Sequence, residues 1–191
     1  MHKKIFNTAN QITMFRMFVV PIIVLFMYIP GVFSDWIALF LFTIASLSDL
    51  IDGHIARKEN IVTSFGKFLD PLADKILVTS VLIVLVDLGR VPAWVVILIL
   101  CRELMVTGLR AVAASDGIVV AADRFGKLKT ILQLIALGFL IVYREVWGFN
   151  IALIGMTILY LALIVTIFSG VNYFIGFYRR WNSEYSSGLN K

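Results

Sequence analysis

The chain has 191 residues, of which 60 % are hydrophobic and 15 % are charged, and its formal net charge at pH 7 is +5. This composition, with a mean hydropathy of +0.94, excludes an ordinary soluble domain and predicts a polytopic helical membrane protein. A single cysteine excludes an intrachain disulfide. The positive charge is typical of cytoplasmic loops facing anionic lipid headgroups, so it does not indicate a nucleic-acid partner.

Six apolar segments follow one another along the chain. A bilayer core requires about 20 apolar residues per helix, and the segments lie at about 12–29, 36–47, 65–88, 91–114, 125–142 and 147–177. A short amphipathic lead-in that contains Lys3, Lys4, Ile5 and Phe6 precedes the first. The predicted fold is therefore all-α, with six transmembrane helices in one domain (residues 1–180) and a polar tail (181–191).

Lysine and arginine residues are distributed unevenly between the connections. With the N-terminus inside, the inner connections and termini hold most of them, and the outer turns hold only Arg90 and Arg144. This asymmetry satisfies the positive-inside rule. It predicts a multi-pass protein of the cell membrane, surrounded by membrane lipids, with both termini on the cytoplasmic side.

Four aspartates lie in the polar stretch between the second and third segments. Asp49 and Asp52 are three residues apart, and Asp70 and Asp74 are four apart, so on helices each pair occupies one face. If the chain reverses direction between the two pairs, these faces meet. Four carboxylates that close repel one another unless cations neutralise them. Hard oxygen ligands suit Mg²⁺, Mn²⁺ or Ca²⁺ better than Zn²⁺, so the stretch predicts a divalent-metal site at the cytoplasmic face.

The same stretch contains a longer pattern, which is Asp49-x-x-Asp52-Gly53-x-x-Ala56-Arg57, eight further residues, and Gly66-x-x-x-Asp70-x-x-x-Asp74. These eight positions over 26 residues resemble the signature of the CDP-alcohol phosphatidyltransferases. The resemblance implies an enzyme that transfers a phosphatidyl group from a CDP-linked lipid to an alcohol, with CMP as the leaving group. It also implies a homodimer.

The resemblance assigns roles to residues of the pattern. The four aspartates are the expected ligands of Mg²⁺ or Mn²⁺, two ions per site, which would neutralise the attacking and leaving oxygens. Asp70 and Asp74 are the expected catalytic residues, with Asp74 as the general base for the attacking hydroxyl. The residues expected to bind the CDP-lipid are Gly53, Arg57, Gly66 and Lys75. For Lys75, snorkelling to the membrane interface is an equal alternative.

A polar stripe opens the first helix with the pattern Asn10-x-x-Thr13-x-x-Arg16. The spacing aligns its three side chains, and the stripe resembles the amino-terminal segment with which the family contacts the CDP moiety. Asn10 and Thr13 are therefore also expected to bind the CDP-lipid. Capping of the helix by Asn10 is the alternative.

A basic cluster spans the fourth and fifth helices with the patterns Arg102-Glu103-x-x-x-Thr107-x-x-Arg110 and Gly126-Lys127-x-Lys129-Thr130-x-x-Gln133. A helix N-terminus, such as the one at Lys127, favours anions. We expect a second phosphate, that of the acceptor, to be bound by Arg102, Thr107, Arg110 and Lys127. This arrangement is similar to the branch of the family whose acceptor is sn-glycerol 3-phosphate. Anchoring of Lys127 at the inner membrane surface is the alternative.

Other functions remain open at this point. Within the family, the acceptor could instead be serine, inositol phosphate or phosphatidylglycerol. From another class, a cation or proton transporter could use the same carboxylates, although transporters place such ligands near the membrane midplane and often contain repeats. A structural scaffold leaves the aspartate pattern unexplained.

Overall fold

The computed structural model describes the backbone of residues 8–58, 64–115, 124–146 and 148–188, and the side chains of 13–48, 72–113, 126–145, 148–179 and 181. This part of the chain forms six α-helices and one β-hairpin. The elements are α1 (Thr8–Tyr28), α2 (Val32–Lys58), α3 (Ser64–Asp87), α4 (Ala93–Ser115), α5 (Arg124–Val142), β1 (Glu145–Val146), β2 (Phe149–Asn150) and α6 (Ile151–Gly188).

The prediction of a mainly helical chain is confirmed. Helix α2 does not end where the sequence turns polar at Ser48 but continues to Lys58, so Asp49 and Asp52 lie on one continuous helix. Asp70 and Asp74 likewise both lie on α3. The predicted reversal between these helices lies at residues 59–63, outside the described residues.

The start of α6 corrects the sequence prediction, which placed it near residue 147. The antiparallel strands β1 and β2 occupy residues 145–150, with Glu145 opposite Asn150. Gly148 has a φ of +79°, a conformation that glycine adopts without a steric penalty. Asn150 then caps α6, because its Oδ1 accepts a hydrogen bond from the Leu153 N–H at 3.0 Å. At its other end α6 extends to Gly188, through most of the segment predicted as a polar tail.

The short connections gather at one end of the bundle. The Tyr28 hydroxyl at the end of α1 donates to Asp87 Oδ2 at the end of α3, at 2.8 Å. Asp35, in the first turn of α2, is 3 % exposed. It accepts a hydrogen bond from Arg144 Nε at 2.7 Å and lies 3.6 Å from Arg90 Nη2. The two arginines predicted for the outer turns therefore meet on one buried carboxylate.

The core lies where all six helices meet. Helix α5 packs most extensively along α6, α1 packs between α2 and α3, and α4 packs against α6. The largest fully buried apolar side chains are Ile23, Leu77, Val81, Leu82, Leu85, Val95, Ile99, Leu137, Leu140, Ile141 and Leu159. Burial of such side chains supplies the main favourable term in folding.

The outer surface of the bundle is also apolar. Phe18, Phe33 and Leu104 are 71 %, 80 % and 69 % exposed, among many other exposed large hydrophobic side chains. Water-soluble monomers rarely expose apolar surface on this scale. Among the described helices, the segment Ile151–Arg179 is long and apolar enough to cross a membrane, and Thr13–Tyr28 and Val32–Ser48 are shorter apolar segments. These features are those of a helical membrane protein.

Candidate active site

A cavity of about 150 Å³ lies between α3, α4 and α5, towards the end of the bundle that is remote from the Asp35 cluster. Its lining residues are Asp74, Lys75, Val78, Thr79, Leu100, Glu103, Leu104, Thr130 and Gln133. Asp74, the last aspartate of the pattern, is half-buried in it. The cavity therefore brings a predicted catalytic carboxylate together with polar side chains of two other helices.

A hydrogen-bonded chain connects the residue after Asp74 to α4. The Lys75 ammonium donates to the Thr107 hydroxyl, and this hydroxyl donates to the backbone carbonyl of Glu103 at 2.7 Å. Lys75 was predicted to bind the CDP-lipid and Thr107 the acceptor. The structure places these two predicted residues in direct contact.

Glu103 is the centre of an ion-pair cluster on the wall of the cavity. Its Oε1 accepts hydrogen bonds from the Lys129 ammonium and from Arg102 Nη1, the latter at 3.2 Å. Lys129 and Arg102 are 7 % and 9 % exposed. Removing such cations from water is costly unless a carboxylate neutralises them, so Glu103 fixes the position of both.

Arg102 in turn anchors α4 to α6. Its Nε donates to the carbonyl of Thr166 at 3.0 Å, and its Nη2 donates to Ser169 Oγ at 2.9 Å. Gly170 makes room for the side chain, because a Cβ there would lie 3.0 Å from Arg102 Cγ. Three nitrogens of the guanidinium therefore have partners on α6 and on Glu103.

The other predicted acceptor residues lie at the surface. Thr107, Arg110 and Lys127 are exposed. The Arg110 guanidinium lies over the ring of Tyr173 on α6, 5.4 Å from its centroid. This cation–π contact holds the side chain of Arg110 near one position while leaving it accessible to an anion.

Only some of the residues predicted to bind the CDP-lipid have side chains that the structure describes. On α1, Thr13 is 0 % and Arg16 1 % exposed, so this part of the polar stripe faces the bundle interior. The other predicted residues of the aspartate pattern and of the CDP-lipid site lie outside the set whose side-chain surroundings are described; they are Asn10, Asp49, Asp52, Gly53, Arg57, Gly66 and Asp70. Among the described side chains, no three His, Cys, Asp or Glu residues are grouped closely enough to hold a metal ion.

The donor set nevertheless has the chemistry of a divalent-cation site. Asp49 and Asp52 on α2, with Asp70 and Asp74 on α3, offer carboxylate oxygens alone, the ligands that Mg²⁺ and Mn²⁺ prefer. The half-buried position of Asp74 in the cavity fits a carboxylate that is neutralised when a cation binds.

The sequence prediction missed four polar residues of this region as site residues. Glu103, Thr130 and Gln133 line the cavity, and Lys129 donates a hydrogen bond to Glu103. For Glu103 and Lys129 a signal was present, because ionisable residues within apolar helices are costly and usually functional. The pairing of Glu103 with Lys129 joins residues 26 apart on different helices.

The chain is similar to a known protein family and to several named bacterial proteins. The CDP-alcohol phosphatidyltransferase family model matches residues 6–168. The CDP-diacylglycerol–glycerol-3-phosphate 3-phosphatidyltransferase of Bacillus subtilis is 44 % identical, covering 88 % of this chain and 94 % of its own length. The protein of that name from Rickettsia typhi is 42 % identical, covering 88 % and 95 %. A probable phosphatidylglycerophosphate synthase of Mycobacterium tuberculosis is 37 % identical, covering 89 % and 81 %.

Proposed function

Because the chain belongs to the CDP-alcohol phosphatidyltransferase family, we propose that it transfers the phosphatidyl group of CDP-diacylglycerol to sn-glycerol 3-phosphate and releases CMP. The observation that carries this proposal is the cavity in which Asp74 lies beside Lys75 and the Glu103–Lys129 pair. The relatives at 42 % and 44 % identity are named for this donor and this acceptor, which supports glycerol 3-phosphate over serine or inositol phosphate.

The reaction exchanges one phosphorus–oxygen bond for another. The acceptor hydroxyl oxygen attacks the phosphorus of the phosphatidyl group and forms a new ester bond. The bond from that phosphorus to the oxygen bridging to CMP breaks, and its electron pair remains on the CMP phosphate. Asp74 takes the proton of the attacking hydroxyl, a role suited to a half-buried carboxylate in the cavity. Asp70, one turn earlier on α3, is the second proposed catalytic residue.

Asp49, Asp52, Asp70 and Asp74 are the proposed ligands of Mg²⁺ or Mn²⁺, two ions per site. Such cations supply positive charge for the oxygens of the diphosphate. The protein's own contribution is to hold four carboxylates on two helices so that the cations bind there.

The substrates are proposed to bind on either side of Asp74. The CDP-lipid side comprises Asn10, Thr13, Gly53, Arg57, Gly66 and Lys75. On the acceptor side, Thr107, Arg110 and Lys127 are exposed, and Arg110 and Lys127 are charged donors that suit a phosphate. Arg102, whose nitrogens bond to α6 and Glu103, supports this side by fixing Glu103.

We propose six membrane spans with both termini and the active site at the cytoplasmic face. The α1–α2 and α3–α4 turns lie together with Arg90 and Arg144 at the end of the bundle remote from Asp74. This supports the orientation, because these are the connections predicted to lie outside. The lipid tails of CDP-diacylglycerol then remain in the bilayer while the water-soluble acceptor arrives from the cytoplasm. The homodimer remains a prediction. The mass of the purified protein–detergent complex tests it, because a dimer contains two chains.

The test is CMP release from CDP-diacylglycerol by purified protein with Mg²⁺ or Mn²⁺. Parallel reactions contain glycerol 3-phosphate, serine, inositol phosphate or phosphatidylglycerol. We expect release with glycerol 3-phosphate alone, and none after removal of metal with EDTA. Release with another acceptor would overturn the acceptor assignment, and no release with any of them would favour the transporter.

A variant at Arg110 tests the proposed binding of the acceptor phosphate. Arg110→Ala is expected to raise the KM for glycerol 3-phosphate, because it removes a charged donor to the phosphate. Arg179→Ala, which removes another exposed arginine near the cytoplasmic end of α6, is the matched control. An unchanged KM in Arg110→Ala would remove Arg110 from the site.

A further inference from the structure

Gln133 on α5 carries a buried hydrogen-bond donor. The residue is 6 % exposed, and its Nε2 has no hydrogen-bond partner among the described residues. Buried amide groups in native proteins almost always have partners, since an unsatisfied donor is destabilising. A methionine or leucine would fill similar space without that penalty. A glutamine here therefore indicates a partner other than the described residues of the chain.

The position of Gln133 indicates what that partner is. Gln133 lines the same cavity as Asp74. The polar neighbours of Gln133 on α5 already have partners within the protein. The Thr130 hydroxyl donates to the Gly126 carbonyl at 3.2 Å, and Lys129 donates to Glu103. The Gln133 amide thus remains available for a molecule that enters the cavity.

We propose that Gln133 binds the acceptor alcohol, with Nε2 donating a hydrogen bond to an oxygen of glycerol 3-phosphate while Asp74 takes the proton of the attacking hydroxyl. This inference rests on the proposed function. The assignment to the acceptor follows from α5, which also carries Lys127, and from α4 opposite, which carries Thr107 and Arg110. A site built to bond a substrate oxygen discriminates strongly against analogues that lack it. Gln133 is therefore a specificity-determining residue as well as a binding residue.

The experiment compares wild type with Gln133→Met on two acceptors. One is glycerol 3-phosphate, and the other is 3-hydroxypropyl phosphate, which lacks the central hydroxyl. In Gln133→Met we expect the KM for glycerol 3-phosphate to rise roughly 10- to 100-fold, because one donor to the substrate is lost. The KM for CDP-diacylglycerol should stay unchanged. The thermal unfolding temperature should equal or exceed that of wild type, because a buried unsatisfied donor is removed.

The second acceptor identifies the bonded oxygen. A loss confined to glycerol 3-phosphate assigns the hydrogen bond to the central hydroxyl. An equal loss with both acceptors assigns it to the phosphate or the attacked hydroxyl. The matched control is Asn150→Ala, which removes an amide that caps α6 at the opposite end. That variant should show the reverse pattern, a lower unfolding temperature with both KM values unchanged.

The outcomes separate this inference from the proposed function. If wild type releases no CMP with glycerol 3-phosphate, the proposed function fails and this inference fails with it. If wild type is active and Gln133→Met has the wild-type KM for glycerol 3-phosphate, only this inference is overturned, and water alone is the partner of the amide. A lowered unfolding temperature with both KM values raised would show a structural role instead. Should Gln133→Met not fold, Gln133→Leu takes its place with the same expected split.

Discussion

The Lys75 ammonium on α3 donates a hydrogen bond to the Thr107 hydroxyl on α4, and this hydroxyl donates its own hydrogen to the backbone carbonyl of Glu103. Lys75 directly follows Asp74, so the helix that carries the proposed base is tied to the helix that carries Arg110. Apart from this bond, α3 packs against α4 much less extensively than α5 packs against α6. This bond is therefore a direct link between Asp74's helix and the acceptor side.

Thr107→Val removes the hydroxyl while nearly preserving the shape of the side chain. Because one hydrogen bond to a charged group is lost, we expect kcat/KM for CMP release to fall about tenfold. Thr107→Ser should retain most of the activity. Thr157→Val is the control, since the Thr157 hydroxyl also donates to the carbonyl four residues earlier, at 2.8 Å, but lies far from the cavity. Wild-type kcat/KM in Thr107→Val would contradict the role of this bond.

Asp74→Asn retains size and polarity but removes the proposed base. A positioned general base typically contributes 10²- to 10⁴-fold, so kcat should fall by at least about 100-fold. The protein should still elute as a folded species in size-exclusion chromatography. Asp87→Asn, at the opposite end of the same helix, is the control and should retain wild-type turnover. Normal turnover in Asp74→Asn would remove this residue from the chemistry.

The helices and the aspartate pattern could be predicted because their signals are local. Apolar segments of membrane-spanning length indicate helices, and spacings of three and four residues place the aspartates on helix faces. The end of α1 and the start of α4 near Pro92 also follow from local sequence. The hairpin before α6 was missed because it has only two residues in each strand, too few for a period-two pattern.

The pairing of polar residues between helices could not be predicted from local sequence. Arg144 and Asp35 are 109 residues apart, and Arg102 and Ser169 are 67 apart. From the sequence alone, each of these charged side chains predicts only that some partner must neutralise it within an apolar helix. Which partner it finds depends on how the helices pack. For the same reason, the sequence predicted that Arg102 binds a phosphate but did not predict its bonds to α6.

Glu103→Gln should weaken acceptor binding more than it weakens donor binding. A neutral side chain leaves Arg102 and Lys129 without a counter-charge, and their repulsion displaces the side chain of residue 103 that lines the cavity. We expect the KM for glycerol 3-phosphate to rise about tenfold, an estimate based on the loss of one charge-assisted contact. The KM for CDP-diacylglycerol should stay within about twofold of wild type, a difference of about 0.4 kcal/mol.

Three further variants define the role of Glu103. Glu103→Asp should restore part of the affinity because the carboxylate is retained. Lys129→Met should add little when combined with Glu103→Gln, since both changes remove the same contact. Glu145→Gln, an exposed glutamate in the hairpin, is the control and should behave as wild type. Equal changes in the KM of both substrates would indicate general loss of structure rather than acceptor positioning.

Asp35→Asn should reduce stability without reducing turnover. The Asp35 carboxylate is 4 % exposed and faces Arg90 and Arg144 at the end of the bundle remote from Asp74. Asparagine retains the shape but leaves two arginines close together without a neutralising charge. Because the Arg144 side chain is 42 % exposed, solvent screens part of this cost. We expect the free energy of unfolding to fall by roughly 1–3 kcal/mol.

The measurement for Asp35→Asn is thermal unfolding in detergent, followed by CMP release at 25 °C. Asp87→Asn is the matched control, because it also removes a carboxylate from this end of the bundle, but one whose partner, Tyr28, is exposed. Its loss of stability should be about 0.5 kcal/mol or less. Asp35→Asn should unfold at a lower temperature than this control while keeping the wild-type kcat and both wild-type KM values. A raised KM for glycerol 3-phosphate in a folded Asp35→Asn protein would show that this end of the bundle is coupled to the acceptor side.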